Sequence, residues 1–293
     1  MHTVSVIIPH YGDAARLSSC LAAVRSAGGS PEILVVDNSR NPAAARAAKA
    51  HGARLLVPET NLGYGPACNL AAKEANGTLL VFLNNDALPR PGWLPPLVQA
   101  LARNPNAAAA GPKLLFAHDP SVINSAGGEI LYHGAGKDRG RGKADSPAFD
   151  ISGPCDYVSG AAMMVHKETF FAAGGFDPRF FLYNEDVDLC WRFARMGKTI
   201  QYVSASVVFH AESATTGKGA TPQKIFFHTK NSFLTAVKNH PKRHLPPAIA
   251  LHSGYNLLKI MAFAITARPA RASALARALA EGWKEAFLGE RLF

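Results

Sequence analysis

The apolar run "TLLVFL" ends in Asn84-Asn85-Asp86 and is followed at once by "ALPRPG", so a strand-like segment terminates in three oxygen-bearing side chains. Asp86 in such a turn suits Mg²⁺ or Mn²⁺, a hard cation commonly held by one or two carboxylates together with the phosphates of a ligand. The competing reading is a turn whose Asn and Asp cap the next helix. A second acidic cluster, "NEDVD", carries Glu185, Asp186 and Asp188 at the head of a helical pattern, where acidic groups oppose the positive end of the helix dipole. On a helix Glu185 and Asp188 share a face while Asp186 and Asp188 diverge by roughly 200°. The cluster therefore does not serve one site. Asp188 is placed for an i,i+4 pair with Arg192, which leaves Asp186 or Glu185 to face a ligand. His210 closes the apolar run "ASVVFH" beside the polar loop "AESATTGKG". It reads either as a metal or phosphate ligand or as an ordinary surface or core histidine.

Short β-branched runs alternate with helical patterns through the first hundred residues: "VSVIIP", "EILVVDNS", "ARLLVPE" and "TLLVFLNND", with "AARLSSCLAAVRSAG", "PAAARAAKAHG" and "GPACNLAAKEANG" between them. Strands apolar on both faces, each followed by a helix, predict an α/β fold with a mostly parallel sheet covered on both sides. Ligands of such sheets bind beyond the carboxyl ends of the strands, where Pro9 to Asp13, Asp37 and Asn84 to Asp86 fall. "NLGYGPACN" contains Gly63 and Gly65, but Cys68 stands where a third glycine belongs and the turn follows the third strand. A dinucleotide fingerprint is expected at the first, so an NAD-type site is discounted. Farther on, "HGAGKDRGRGKADSP" at 133–147 reads as a mobile basic loop. "CDYVSGAAMMVH" reads as a strand, and "GGFDPRFFLYNEDVDLCWRFARMGK" as a turn, an aromatic stretch and a helix ending at Gly197.

A chain of 293 residues, 48% hydrophobic and 18% charged, is globular material, and the net charge of +10 points to a polyanionic partner. The basic residues are dispersed, without the aromatic-interleaved strand or recognition helix of a nucleic-acid binder. Cys20, Cys68, Cys155 and Cys190 are isolated and read as reduced core thiols. The first residues lack a signal-peptide pattern, an expectation of a cytoplasmic protein. From Gln223 onward the pattern is helical. "PPAIALHSGYNLLKIMAFAITARP" is long enough to span a membrane, but His252, Asn256 and Lys259 lie inside it, and a central lysine costs roughly 2.5–3.5 kcal/mol on insertion. A surface helix with Leu257, Leu258, Met261 and Ile265 along one side is the better fit; simple packing on the domain is the alternative.

Taken in order, "VSVIIPHYGD", "ILVVDNS", "NLGYGPACN", "LLVFLNNDALPRPGWL", "VSGAAMMVHKETFFAAGGFDPRFFLYNEDVDLCWR" and "VVFH" resemble the family 2 glycosyltransferases of the GT-A fold. Among these the rhamnosyltransferase and galactofuranosyltransferase-like members are the most similar. The resemblance implies a GT-A domain over residues 1–240, with a nucleotide-sugar half at 1–115 and an acceptor half at 116–240, and a helical extension at 241–293. It implies inverting transfer from a UDP-, dTDP- or GDP-linked sugar to a saccharide or polyprenyl-diphosphate-linked acceptor, with Mg²⁺ or Mn²⁺, on the cytoplasmic face of an anionic membrane.

By that resemblance Pro9, Tyr11, Asp37 and Asn38 would line the nucleobase and ribose pocket, with Asn61, Gly63 and Asn69 shaping its wall. Asn84, Asn85 and Asp86 would replace the DxD motif, with Asp86 and His210 on the metal. Asp186 would be the general base beside Glu185, while Tyr157, Ser159, Gly160 and Trp191 would meet the acceptor. Three departures stand out. Asn84 is neutral where the motif has an acid, Asn38 replaces a second aspartate, and Lys230 precedes Asn231 where relatives carry arginine, so phosphate would meet a point charge there. A sugar-phosphate nucleotidyltransferase would need a Gly-rich basic loop after the first strand, which "PHYGDAARL" lacks. A non-catalytic scaffold of the same fold would tolerate loss of Asp186.

Overall fold

The computed structural model describes residues 3–212 and 219–287; most of the polar loop after His210 therefore lies outside the described residues. The chain runs β1 (Val4–His10), α1 (Ala14–Ser26), β2 (Glu32–Asp37), α2 (Pro42–Ala50), β3 (Arg54–Leu56), α3 (Tyr64–Glu74), β4 (Leu79–Leu83), β5 (Ala87–Pro89), α4 (Leu94–Arg103) and β6 (Ala107–Phe116). It continues through β7 (Asp119–Ser125), β8 (Gly128–Ile130), β9 (Gly136–Asp138), β10 (Gly153–Cys155), β11 (Ala162–His166), α5 (Lys167–Ala172), α6 (Glu185–Arg195), β12 (Thr199–His210), α7 (Pro222–Asn239), α8 (Leu245–Ile265) and α9 (Pro269–Phe287).

The main sheet is ordered β10-β12-β6-β11-β4-β1-β2-β3. β3, β2, β1 and β4 are parallel, and β12 is parallel to β6; β11 is wedged antiparallel between β4 and β6. Alternation along the strands explains why both faces bury. Val6, Ile8, Val35 and Val81 pack with Leu17, Leu21 and Leu97 on one side. Ile7, Leu34, Val36 and Phe82 pack with Ala67, Phe170, Phe176 and Phe193 on the other. Each such aliphatic side chain contributes about 1.5–3 kcal/mol relative to exposure.

Two sequence expectations change. Residues 133–147 are not a free loop: β9 pairs with β8, Arg139 N donates to Gly127 O (2.8 Å) and Asp145 N to Ser121 O (2.7 Å). The buried Lys113 ammonium binds the Asp145 carboxylate at 2.9 Å and Asp150 at 2.5 Å. A segment without an apolar face is held here by backbone pairing and a buried cation. The strand read over "CDYVSGAAMMVH" shrinks to β11, because the chain leaves the sheet between Cys155 and Ala162 to make a turn.

Behind the sheet, α6 docks on α7 through Asp188, which is fully buried. It accepts from Arg192 (2.9 Å), as the i,i+4 spacing implied, and also from Lys238 (2.8 Å) and Asn239 (2.9 Å). Removing one member of such a network leaves the others uncompensated, at a cost of about 3–5 kcal/mol. α7 in turn packs against α8 and α9, and Lys230 on α7 pairs with Glu285 on α9 at 2.9 Å.

Candidate active site

Asp86 and His210 are 124 positions apart in sequence and are brought together by backbone pairing. β5 runs antiparallel to the end of β12, with Ala87 opposite His210, and Ala211 N donates to Asp86 O at 3.0 Å. This sets His210 Nε2 3.3 Å from Asp86 Oδ1. On the far side of the ring, Nδ1 lies 3.2 Å from Asn124 Oδ1. Donation from Nδ1–H to that amide oxygen leaves the Nε2 lone pair directed at Asp86, with Asn84 Nδ2 at 3.2 Å. Asn124 is itself fixed by donating to Glu212 Oε2 at 2.9 Å. A carboxylate beside an imidazole oriented by an outer amide is a donor set that fits Mn²⁺ or Mg²⁺ with further ligands from phosphate and water. Among the described residues no cluster of three His, Cys, Asp or Glu side chains forms a complete protein cage.

Asn85 faces away from Asp86, donating through Nδ2 to His10 Nδ1 at 2.8 Å. His10, at the end of β1, is fully buried and fixes the 84–86 turn from below. Burial holds its imidazole below the ordinary value against the pull of Asp37 and Asp13. His10 was overlooked in the sequence, where "IIPHYG" offers only its position at a strand end.

The other end of the site is built on a strained turn. Tyr183 and Asn184 both have left-handed backbones, with φ of 70° and 71°, a conformation that costs about 1–3 kcal/mol per non-glycine residue. Asn231 on α7 offsets that strain: its Nδ2 donates to Leu182 O at 2.8 Å and to Tyr183 O at 2.7 Å. Asn184 Nδ2 donates to Gly134 O (3.0 Å) and Thr235 Oγ1 (2.7 Å). The turn delivers Asp186 to the N-terminus of α6, where Oδ2 accepts from Gly160 N at 2.7 Å and Oδ1 from its neighbour Val187 N at 2.8 Å. Burial outweighs these hydrogen bonds and pushes the carboxyl up to about 6. Gly160 O accepts from the Tyr64 hydroxyl, and Asn84 N donates to Ala161 O at 3.0 Å. The 159–161 turn therefore joins Asp186 to the strand that carries Asp86.

The family model for glycosyl transferase family 2 matches residues 5–154, more than half of the 293-residue chain. The chain belongs to glycosyltransferase family 2. It is 28% identical over 263 residues, covering 80% of this chain and 84% of the relative, to the N-acetylglucosaminyl-diphospho-decaprenol L-rhamnosyltransferase of Mycobacterium tuberculosis. It is 34% identical over 166 residues, 53% of this chain and 12% of the relative, to the O-antigen biosynthesis protein RfbC of Myxococcus xanthus. Among solved structures, the mannosyltransferase PcManGT of Pyrobaculum calidifontis in complex with GDP-Man and Mn²⁺ aligns with a TM-score of 0.60 at 18% identity, over 99% of this chain and 88% of that one. GalNAc-T7 with UDP, GalNAc and Mn²⁺ aligns with a TM-score of 0.61 at 18% identity, over 80% of this chain and 47% of that one. The fold is GT-A, and the protein is a hexosyltransferase.

Within this glycosyltransferase the sequence-predicted residues divide. Tyr11 is 49% exposed at the rim, while Pro9 is buried two residues past the last β1–β4 register pair, Ile7 with Phe82. Asp37 is buried, with its oxygens accepting from Ser39 N, Ser39 Oγ and Asn41 N. Asn38 links to the next loop by donating to Gly63 O (3.2 Å) and accepting from Leu62 N (3.1 Å), and Asn61 Oδ1 accepts from Gly63 N (3.0 Å). Gly63 is required twice over. Its φ is 80°, and a Cβ would lie 2.3 Å from Phe181 O. Ser159 stays at the turn, its Oγ accepting weakly from Ala161 N at 3.3 Å.

Five of the residues the sequence pointed to are engaged by other parts of the protein. Glu185 is turned inward, 6% exposed, and burial followed by the neighbouring Asp186 and Asp188 holds its carboxyl well above the usual range; Asp186 is the less buried of the two. The Tyr157 hydroxyl donates to Asp138 at 2.9 Å and its ring packs on Gly128 and Gly136, so it braces the β8–β9 hairpin. Trp191 is roughly 140° around α6 from Asp186 and stands edge-on to His240. Asn69 is a latch, bonded through both amide atoms to the Phe176 backbone at 2.7 and 2.9 Å. Lys230 is buried, with its ammonium on Glu285 and the Arg179 carbonyl.

Asn231→Ala leaves two carbonyls of the strained turn without their donor, at about 1–3 kcal/mol for each buried group. The expected outcome is a lowered denaturation midpoint together with a drop in turnover that exceeds the change in donor affinity, read by urea titration and by kcat against donor KM.

Proposed function

We propose that this glycosyltransferase transfers its sugar with inversion, from a nucleotide-linked donor to a saccharide carried on a polyprenyl diphosphate, with Asp186 as the base. The observation that carries the reading is the Asp186 carboxylate, hydrogen-bonded to Gly160 and raised to about 6, on the same sheet edge as Asp86 and His210. A base so tuned is ionised at neutral pH and still basic enough to take the proton of an attacking hydroxyl. Gly160 N and Val187 N hold the carboxylate in place as it does so. Burial pushes the Cys68 and Cys190 thiols up, which fits a single displacement without a thiolate nucleophile. Asp86 and His210 Nε2 would hold a divalent cation, Mg²⁺ or Mn²⁺, which when bound neutralises the departing diphosphate. The acceptor class follows the rhamnosyltransferase relative, whose name specifies a diphospho-decaprenol substrate.

The carboxyl-terminal helices support work at a lipid surface. The stretch Lys242–Ile265 is long and apolar enough to cross a membrane by length and composition. His252 and Asn256, which argued against a membrane span, are buried; the imidazole lies 3.0 Å from Ser232 Oγ on α7. The face left outward carries Leu257, Leu258, Met261 and Ile265, from 53% to 85% exposed. With Lys259, Arg268 and Arg271 beside it, that face would lie on an anionic bilayer, on the cytoplasmic side. In this reading residues 1–240 are the catalytic unit and 241–293 the membrane-directed extension.

Because only ionised Asp186 accepts a proton, kcat/KM for the acceptor is expected to fall about tenfold per pH unit below pH 6 and to be level above it. Asp186→Asn should cost 10²–10⁴-fold in turnover and leave the melting temperature at pH 7 unchanged or higher, because the native state no longer carries a carboxylate disfavoured by burial. Nucleotide release across UDP-, dTDP- and GDP-sugars with each variant checks both.

Asn124→Ala removes the group that orients His210 and is expected to weaken Mn²⁺ binding about 10- to 100-fold, measured by titration calorimetry with the nucleoside diphosphate present. Leu258→Glu with Ile265→Glu is expected to abolish co-sedimentation with anionic vesicles while nucleotide binding persists.

A further inference from the structure

Beside the site, a cavity of about 470 Å³ is lined by Arg141, Glu212, Lys224, His228, Lys259 and Phe263 among others. Arg141, Lys224 and Lys259 line it together with one carboxylate, Glu212; Arg141 engages Glu212 at 2.6 Å and Asp138, outside the lining, at 3.6 Å. Burial, reinforced by Lys224 and Arg141, pushes His228 down to about 4, so its ring meets the cavity uncharged. The size and the excess positive charge fit a compact dianion.

Its position says which dianion. On one side Glu212 stands two residues past His210, the expected metal ligand. On the other, the His228 ring stacks on Tyr183 at 4.2 Å between centroids, and Tyr183 leads three residues later to Asp186. The outer wall is α8, through Lys259 and Phe263, next to the exposed Leu258, Met261 and Ile265. The named walls begin at Arg141 and take nothing from the nucleotide-side strands. A lipid-linked acceptor has its parts in that order: the sugar whose hydroxyl attacks, then a diphosphate, then an isoprenoid chain.

We infer that this cavity binds the diphosphate of the lipid-linked acceptor, through Lys224, Lys259 and Arg141, and directs the isoprenoid chain out along the apolar face of α8. The inference rests on the lipid-linked reading of the acceptor and adds to it a location. Lys224 and Lys259 then act on the acceptor alone, while the donor diphosphate stays at Asp86 and His210.

The test uses the full chain and farnesyl diphosphate as probe, titrated calorimetrically under saturating Mn²⁺ and whichever of UDP, dTDP or GDP binds. Farnesyl diphosphate should bind alongside the nucleotide and much more tightly than farnesol. Lys224→Glu with Lys259→Glu should weaken it at least tenfold with nucleotide affinity unchanged. Lys259→Glu alone, at an exposed position, should show a smaller loss of the same kind in a protein whose folding is not in question. Displacement of the probe by nucleotide would assign the cavity to the donor. Equal binding to wild type and both variants, equal binding of farnesol, or no binding of the probe would likewise overturn the assignment. Failure of wild type to glycosylate a polyprenyl-diphosphate-linked sugar, with farnesyl diphosphate still bound through the two lysines, would overturn the acceptor reading while leaving the cavity a diphosphate site.

Discussion

The site depends on one turn, Ser159–Ala161, where the chain leaves the sheet just before β11. Its three backbone groups reach three different elements: Ala161 O takes the Asn84 amide at the tip of β4, Gly160 O takes the Tyr64 hydroxyl from α3, and Gly160 N holds Asp186 at the head of α6. The antiparallel wedging of β11 between β4 and β6 fixes where that turn must fall. Shift β11 by one residue and its side chains exchange faces, and Asp186 loses its register against the Asn84–Asp86 turn. Catalytic geometry here is a consequence of strand pairing.

Strain and burial are concentrated where the chemistry is. Two consecutive left-handed residues, Tyr183 and Asn184, precede the base, and Asn231 holds them from α7. Glu185 and Asp186, both raised by burial, sit side by side on the same first turn, while Asp188 anchors that turn's helix to α7 through cations. Three acids in four residues thus have three environments: Glu185 is turned inward and held well above the usual carboxylate range by burial, Asp186 is held by Gly160 N and Val187 N, and Asp188 is paired with Arg192 and Lys238. Environment separates carboxyl groups that the sequence places together.

The alternating strand and helix pattern made β1 to β4 and α1 to α3 legible, because doubly buried strands have a compositional signature. The Asp188–Arg192 pair was legible from helical spacing alone. Other features depend on distant contacts and leave no local trace. β5 is three residues long with a proline, yet it carries Asp86 to His210. The basic segment 133–147 has no apolar pattern, yet backbone bonds and Lys113 hold it. The turn of Trp191 toward His240 and of Lys230 toward Glu285 was not legible, because motif order says which residues are near a site and not which way a side chain turns. His252 and Asn256, polar residues in an apolar helix, read as a bar to a membrane span; they face inward and leave Leu257, Leu258, Met261 and Ile265 exposed on the other side, the face the surface-helix reading had picked out.

The account's central claim is that Asp186 serves a single displacement with no covalent enzyme intermediate, and the anomeric configuration of the first product tests it most directly. Proton NMR of product formed from a donor of known configuration, recorded before any mutarotation or secondary transfer, should show inversion at the transferred carbon. Retention would contradict the account, because a single displacement from the face opposite the departing diphosphate cannot retain configuration at the reacting carbon.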